Sequence, residues 1–303
     1  MYDIIVVGAG PAGLTAAIYA RRANKSVLLL EKGAFGGQIT FSPKVENYPG
    51  FESVSGSELA DKLVEQTLAL GAEVEIETVT ALRDENGVKT IETEDGNTYE
   101  AKAVILALGA KHRHLGLANE EAFIGDGISF CAVCDGAFYA GKTVGLVGGG
   151  NSALQEAILL SETSEHVYVI QNLPYLTGEQ RLQEVLAERR NVTVLTETLV
   201  TAIPAGDTFT GVEITNTADN TTRTLALDGL FVAIGLEPEN EAFAELAALD
   251  AAGYFDSAED CLTKSAGVFV AGDCRRKGVR QVTTATGDGA TAAIAACRYL
   301  DTL

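Results

Sequence analysis

The chain has 303 residues, 47% of them hydrophobic, which is more than one core ordinarily organises, so two domains are expected. Its 42 acidic residues against 22 basic ones leave a formal net charge of -20, which repels nucleic acid and anionic membranes and excludes both as general partners. The apolar run Ile4 to Val7 is too short to span a bilayer and lacks the basic flank and cleavage site of a secretory leader, so a cytoplasmic protein is expected.

In chain order, Asp3 to Val7 predicts a strand, Gly8 to Gly13 a tight turn, Leu14 to Arg22 a helix and Val27 to Leu30 a second strand. Strands that are apolar at every position are buried on both faces, which favours a parallel sheet between other layers. Gly8-Ala9-Gly10-Pro11-Ala12-Gly13 therefore lies between a strand and a helix, the context in which such a loop holds a dinucleotide. Gly8 permits the turn, Gly10 lets a pyrophosphate approach the backbone, and Gly13 allows the helix to pack closely. The helix N-terminus adds free N–H groups and partial positive charge. Glu31, ending the next strand, suits an adenosine ribose and repels a 2'-phosphate, favouring FAD or NAD over NADP.

Cys131-Ala132-Val133-Cys134-Asp135 follows, two thiols and a carboxylate within five residues. Cysteines at this spacing close a small ring reversibly and can pass electrons to another disulfide. A zinc site would need two more ligands at matching spacing, yet Cys261, Cys274 and Cys297 form no second pair and His166 stands alone, so no metal is expected. Those three cysteines read as small apolar residues, with Cys274, beside Asp273, the one to test for reactivity.

The opening plan then recurs. Thr143 to Val147 runs into Gly148-Gly149-Gly150-Asn151-Ser152-Ala153, the helical Leu154 to Ser161 and the strand Val167 to Ile170. Gly87 to Ile91 and Gly211 to Ile214 each open a polar β-rich stretch, ending at Val104 to Gly109 and Leu230 to Gly235. This duplication predicts an α/β chain of two Rossmann-like, doubly wound, three-layer dinucleotide-binding domains. The tail, Val268 to Ala271 and an Ala-rich helix, has no counterpart in the repeat and should complete the first domain. The expected division is 1-113 with 245-303 for the FAD-binding domain, and 114-244 for an inserted pyridine-nucleotide-type domain carrying the dithiol.

On these segments, with Gly36-Gly37-Gln38, Val45-Glu46-Asn47-Tyr48-Pro49-Gly50, Ala271-Gly272-Asp273, Arg280-Gln281 and Gly287-Asp288-Gly289, the chain resembles the low-molecular-weight thioredoxin reductases over nearly its whole length. The resemblance implies FAD in the first site, held by Gly8, Gly10, Pro11, Ala12, Gly13, Glu31, Gly37, Gln38, Asn47, Gly109, Gly272, Asp273, Arg280, Gln281 and Val282. It places a helix beginning around Gly287 with its positive end toward the flavin. It also implies that Cys134 faces the flavin, that Cys131 attacks thioredoxin or a similar disulfide protein, that Asp135 protonates the departing thiolate, and that the protein is a homodimer. Phe138 and Tyr139 serve either a docking edge or the core.

Two positions depart from the family. Leu108 stands where relatives usually have threonine. More consequentially, NADPH-using relatives follow the second glycine motif with a histidine and arginines that grip the 2'-phosphate, whereas this chain has Gln171-Asn172-Leu173-Pro174-Tyr175-Leu176-Thr177. NADPH is disfavoured. NADH could bind through the Gln171 or Asn172 amides, and a ferredoxin-linked branch of the family dispenses with pyridine nucleotide. The basic clusters Lys111-His112-Arg113-His114 and Arg275-Arg276-Lys277 could receive an acidic ferredoxin, or could instead neutralise phosphate or form a solvated hinge. A dithiol oxidase using oxygen and a non-enzymatic flavin redox sensor are the competing readings.

Overall fold

The computed structural model describes every residue except Ser42, Pro43, Lys44 and Glu46, and describes Cys134 by its backbone alone. Glu46 of the Val45 to Gly50 segment and the Cys134 thiol therefore lie outside the described residues. The chain divides into two units, Met1–Lys111 with Glu237–Leu303, and His112–Leu236. The return to the first unit falls at Glu237 rather than at 245, for a physical reason. Glu239 pairs with Lys32 and Lys111. The buried Asn240 side chain donates to Gly253 O and Cys274 O, and Phe243 and Ala247 pack in the core with Ile5 and Val7.

In the first unit, Glu73–Ile76, Val27–Glu31, Tyr2–Val7 and Thr98–Leu106 lie side by side in parallel. Beyond Thr98–Leu106 the sheet forks. Its N-terminal half pairs antiparallel with Val88–Thr93, which in turn pairs with Val79–Glu85, while its C-terminal half pairs in parallel with Val268–Val270. Strand alternation sends Ile4, Val6, Leu29 and Ile105 to one face and Ile5, Val7, Leu28 and Leu106 to the other, so both faces are covered.

Against the first face lie the helices Pro11–Arg22 and Val282–Leu300. Their backbones meet: a Cβ on Gly289 would lie 2.1 Å from Ala12 O. The second helix begins at Val282, not near Gly287, because Gln281 and Thr284 form a reciprocal capping box that starts it a turn and a half earlier. Gly287 and Gly289 lie inside the helix. Its positive end is thus at Gln281 and Val282.

The second unit repeats the plan with Val192–Leu195, His166–Ile170, Thr143–Val147, Gly229–Val232 and Ile128–Ser129, all parallel. Here the intervening β-rich stretch forms a separate antiparallel sheet of Thr198–Ala202, Gly211–Asn216 and Thr222–Ala226. The fifth place in the parallel sheet, taken in the first unit by the C-terminal Val268–Val270, is taken here by Ile128–Ser129, which precedes the repeat. Cys131 and Gly272 each follow that strand by two residues, at the carboxyl end of the sheet where α/β folds place their ligands.

Candidate nucleotide and dithiol sites

The first glycine loop is held by its neighbours. Gly8 has φ +101°, and a Cβ there would lie 2.3 Å from Ala107 O; a Cβ on Gly13 would lie 1.8 Å from Gly8 O. Around Gly10 the corresponding position is open, with no atom within 4 Å. The loop therefore leaves space where a pyrophosphate would approach, over the first turn of a helix that starts with Pro11 and Ala12 and has no side-chain cap. Gly37, at φ +59°, lies against Gly10. Glu31 fastens this loop to the second strand: Ala9 N–H donates to its Oε2 at 2.7 Å and Gly33 N–H to its Oε1 at 2.9 Å.

The remaining expected residues of this unit converge on the same sheet end. Gln38 Nε2 donates to Ala110 O at 3.2 Å, next to Gly109 at φ +70°. Asn47 Nδ2 donates to Gln281 Oε1 at 2.9 Å, and Val282 packs on the small cluster of Ile39, Val45 and Leu59. Arg280 Nε donates to Asp273 O, and its guanidinium lies 4.2 Å from the Tyr254 ring centroid. Asp273 Oδ1 is buried with no hydrogen-bond partner, and burial raises its carboxyl above the ordinary range. An orphaned buried acceptor beside an open glycine loop fits a bound polyol such as the ribityl chain of a flavin nucleotide.

Beneath Asp273 sits a charge network that sequence reading did not assemble. Arg275, 1% exposed, donates through Nε and Nη2 to Asp288 at 2.8 and 2.9 Å; Lys277 Nζ donates to Asp288 Oδ2 at 2.8 Å, and Gly272 N–H to the same oxygen at 3.0 Å. Arg276 pairs with Asp256, and in the other basic run Lys111 pairs with Glu239 while His114 pairs with Glu121. His112 and His114 both stack on Phe130. Arg275 and Lys277 are thus spent on Asp288 inside the fold, whereas Lys111, Arg113, His114 and Arg276 stay exposed. Burial pushes the Cys261 and Cys274 thiols up to about 12 and about 11 and raises Cys297 as well, so Cys274 is an inert core residue. Among the described residues no group of three His, Cys, Asp or Glu could hold a metal.

In the second unit, Cys131 is disulfide-bonded and precedes the short helix Ala132–Asp135. Asp135 N–H donates to Cys131 O at 3.0 Å, closing the turn. Ser129, absent from the expected set, is the hub: its Oγ donates to Asp135 Oδ2 at 2.5 Å and accepts the Cys131 N–H at 3.1 Å. Glu156 closes the other side, accepting the Ala132 N–H at 3.2 Å. Phe138 is 69% and Val133 65% exposed, whereas Tyr139 packs edge-on against Phe231; of the two aromatics, only Phe138 is free to dock. A cavity of about 430 Å³ flanks the turn, lined among others by Ser129, Asp135, Phe138 and Lys142.

At the second glycine motif Gly148 repeats the role of Gly8, with φ +136° and a would-be Cβ 2.4 Å from Ala233 O. Gln171 is turned inward and 5% exposed; its amide fills the space a Cβ on Gly149 would need, and its Nε2 donates to Tyr175 O at 3.2 Å. Thr177 and Gly178 N–H both donate to Gly149 O at 2.8 Å. The Gln171 Nε2 group that could have served an NADH ribose is spent inside the loop, while Asn172 stays exposed. No Lys, Arg or His occurs between residues 171 and 179.

Residues 2–289 match the pyridine nucleotide-disulphide oxidoreductase family. The chain is 40% identical to the thioredoxin reductase of Listeria monocytogenes, in an alignment covering 100% of this chain and 95% of that protein. It is also 40% identical to the 34.2 kDa protein in the rubredoxin operon of Clostridium pasteurianum, covering 98% and 97%. Among solved structures, the Lactococcus lactis thioredoxin reductase superposes with a TM-score of 0.83 at 36% identity over 100% of both chains. No helix among the described residues is long and apolar enough to cross a membrane.

Proposed function

The chain belongs to the pyridine nucleotide-disulphide oxidoreductase family and, within it, to the thioredoxin reductases, and from that premise we propose that it holds FAD in its first unit and reduces thioredoxin through Cys131 and Cys134. The observation that carries this reading is the disulfide-bonded Cys131 in a turn framed by the carboxyls of Asp135 and Glu156. In the first unit, the turn at Gly10, Pro11, Ala12 and Gly13 would hold the pyrophosphate, Glu31 the adenosine ribose and Asp273 the ribityl chain. Gly37, Gln38, Asn47, Gly109, Gly272, Arg280, Gln281 and Val282 would frame the ring. Bound FAD would supply the electron pair that opens the Cys131 disulfide.

The chain's own residues do the rest. The Cys131 thiolate attacks one sulfur of the partner disulfide and the other leaves as a thiolate, which takes a proton from Asp135. Cys134 then attacks the Cys131 sulfur, which restores the intramolecular disulfide and releases the second thiol of the partner. Ser129 holds Asp135 in place by its short hydrogen bond. Phe138 and Val133 offer an apolar edge beside the reacting sulfur, of the kind protein partners cover.

The electron donor in this reading is NADH or reduced ferredoxin and not NADPH. A 2'-phosphate needs cations, and the loop after the second glycine motif has none. Arg275 and Lys277 are committed to Asp288, which leaves Lys111, Arg113, His114 and Arg276 as the exposed cations a ferredoxin would meet. A cytoplasmic homodimer completes the reading, on kinship alone. Anaerobic mixing of the purified protein with each donor, followed by flavin absorbance, tests it: bleaching by NADH or reduced ferredoxin, with NADPH at least tenfold slower, is expected. Rapid bleaching by NADPH would contradict the donor assignment.

A further inference from the structure

Glu156 lies on the helix Asn151–Ser161, on the face where Ala153, Ala157 and Leu160 are buried against Ala132 of the redox turn. A carboxyl there interrupts an otherwise apolar stripe. Its Oε2 accepts the N–H of Ala132, the residue that follows Cys131. Burial pushes the Glu156 carboxyl up to about 7, opposed only by that single backbone bond. A group placed merely to satisfy the Ala132 amide need not be an acid, since a glutamine would accept the same N–H without the cost of burying charge.

The elements packed against this helix carry Cys131, Cys134 and Asp135 in the redox turn, Arg181 and Glu184 on Gln180–Ala187, and His166 and Tyr168 on His166–Ile170. The strand Thr143–Val147 carries no titratable group. Of the described side chains among these, Arg181, Glu184, His166 and Tyr168 make no bond to the Glu156 carboxyl, and Asp135 is held by Ser129. Glu156 thus faces the turn as an acid without a charge partner.

We propose that Glu156 is a positioning residue of the redox turn: held on the Ala132 amide, its carboxylate takes up a proton as the disulfide opens and returns it as the disulfide closes. The inference rests on the reading of Cys131 and Cys134 as a redox couple. Opening the S–S bond consumes one electron pair, which bound FAD would supply, and leaves one sulfur as a thiolate and the other protonated from solvent. A second solvent proton, on Glu156, offsets the thiolate charge. By linkage, the proton bound on reduction makes the disulfide harder to reduce as pH rises. The sign follows from the raised carboxyl: well below pH 7 Glu156 is protonated in both redox states and adds nothing, whereas from about pH 7 upward its proton uptake steepens the dependence.

The test equilibrates the holoenzyme, as wild type and as Glu156→Gln, with a glutathione redox buffer across neutral pH and reads the fraction of dithiol. In the wild type the equilibrium constant should change more steeply above neutrality than in Glu156→Gln, by up to about tenfold per pH unit for one extra proton. Equal slopes overturn the inference and leave the dithiol reading intact. Absence of any reversible couple in the wild type sinks the dithiol reading and this inference with it. Should the variant fail to fold, the reduced-minus-oxidised infrared difference spectrum of the wild type at neutral pH decides: a gained protonated-carboxyl band supports the proposal, and its absence overturns it.

Discussion

Asp288 is buried and Glu156 half-buried, and their surroundings move the two carboxyls in opposite directions. Burial raises both, but at Asp288 the bonds from Arg275 and Lys277 outweigh it and hold the carboxyl below the ordinary range. Glu156 has only an amide to set against burial. A carboxylate paired with two cations is structural, while one left near neutrality is available to exchange a proton. Asp288 also accepts the Gly272 N–H, so the same side chain that neutralises Arg275 fixes the backbone beside Asp273. Asp288→Asn leaves the buried Arg275 with only the exposed Glu259 as a charge partner and should lower the unfolding free energy by roughly 3 kcal/mol, the lower end for a broken buried pair. Chemical denaturation of the holoenzyme measures this, and flavin should be lost before the transition. A change below about 0.5 kcal/mol would mean that water reaches the guanidinium.

At the scale of elements, the helix Val282–Leu300 depends on small residues more than on its own propensity. Glycines at 287 and 289 ordinarily weaken a helix by about 1 kcal/mol each, and here the second of them allows backbone contact with Ala12. Gly289→Ala places a methyl against a carbonyl that cannot swing away. It should cost about 1–3 kcal/mol and spread the loop that carries Pro11 and Ala12, read as a lower melting temperature together with weaker flavin retention. A variant as stable as the wild type would show that the two helices can part without loss.

These same elements show what could be read from the chain in advance. The placement of the Gly8 to Gly13 loop and of Glu31 was legible because it is set by neighbours in sequence: a strand before, a helix after, an acid at the end of the next strand. The helix starts before the expected Gly287 because the Gln281 and Thr284 capping box that begins it looks like ordinary polar sequence. Ser129 and Glu156 escaped notice as partners of the redox turn for a different reason. One is a strand residue and the other lies on a helix of the next glycine motif, so only the tertiary fold brings both to the peptide around Cys131. The inward turn of Gln171 was hidden likewise, since an amide looks the same in sequence whether it faces solvent or Gly149.

For the molecule as a whole, duplication of one sheet plan supplies the chemistry twice over. In each unit the fifth strand delivers the chain to the carboxyl end of the sheet, once at Gly272 and Asp273 and once at Cys131, though the strand comes last in one unit and before the repeat in the other. The net charge of -20 gives little guidance to a docking face, because several of its cations, among them Arg275, Lys277 and Lys111, are already paired within the fold. The central claim is that two redox centres, a flavin and a dithiol, work in series in one chain. Anaerobic dithionite titration of the purified flavoprotein, before and after Cys134→Ser, tests this most directly. The wild type should accept two electron pairs and return them to oxidised thioredoxin, and the variant should accept one pair, keep its flavin and return none. A wild type that takes up a single pair, or a Cys134→Ser protein that still reduces thioredoxin at the wild-type rate, would contradict it.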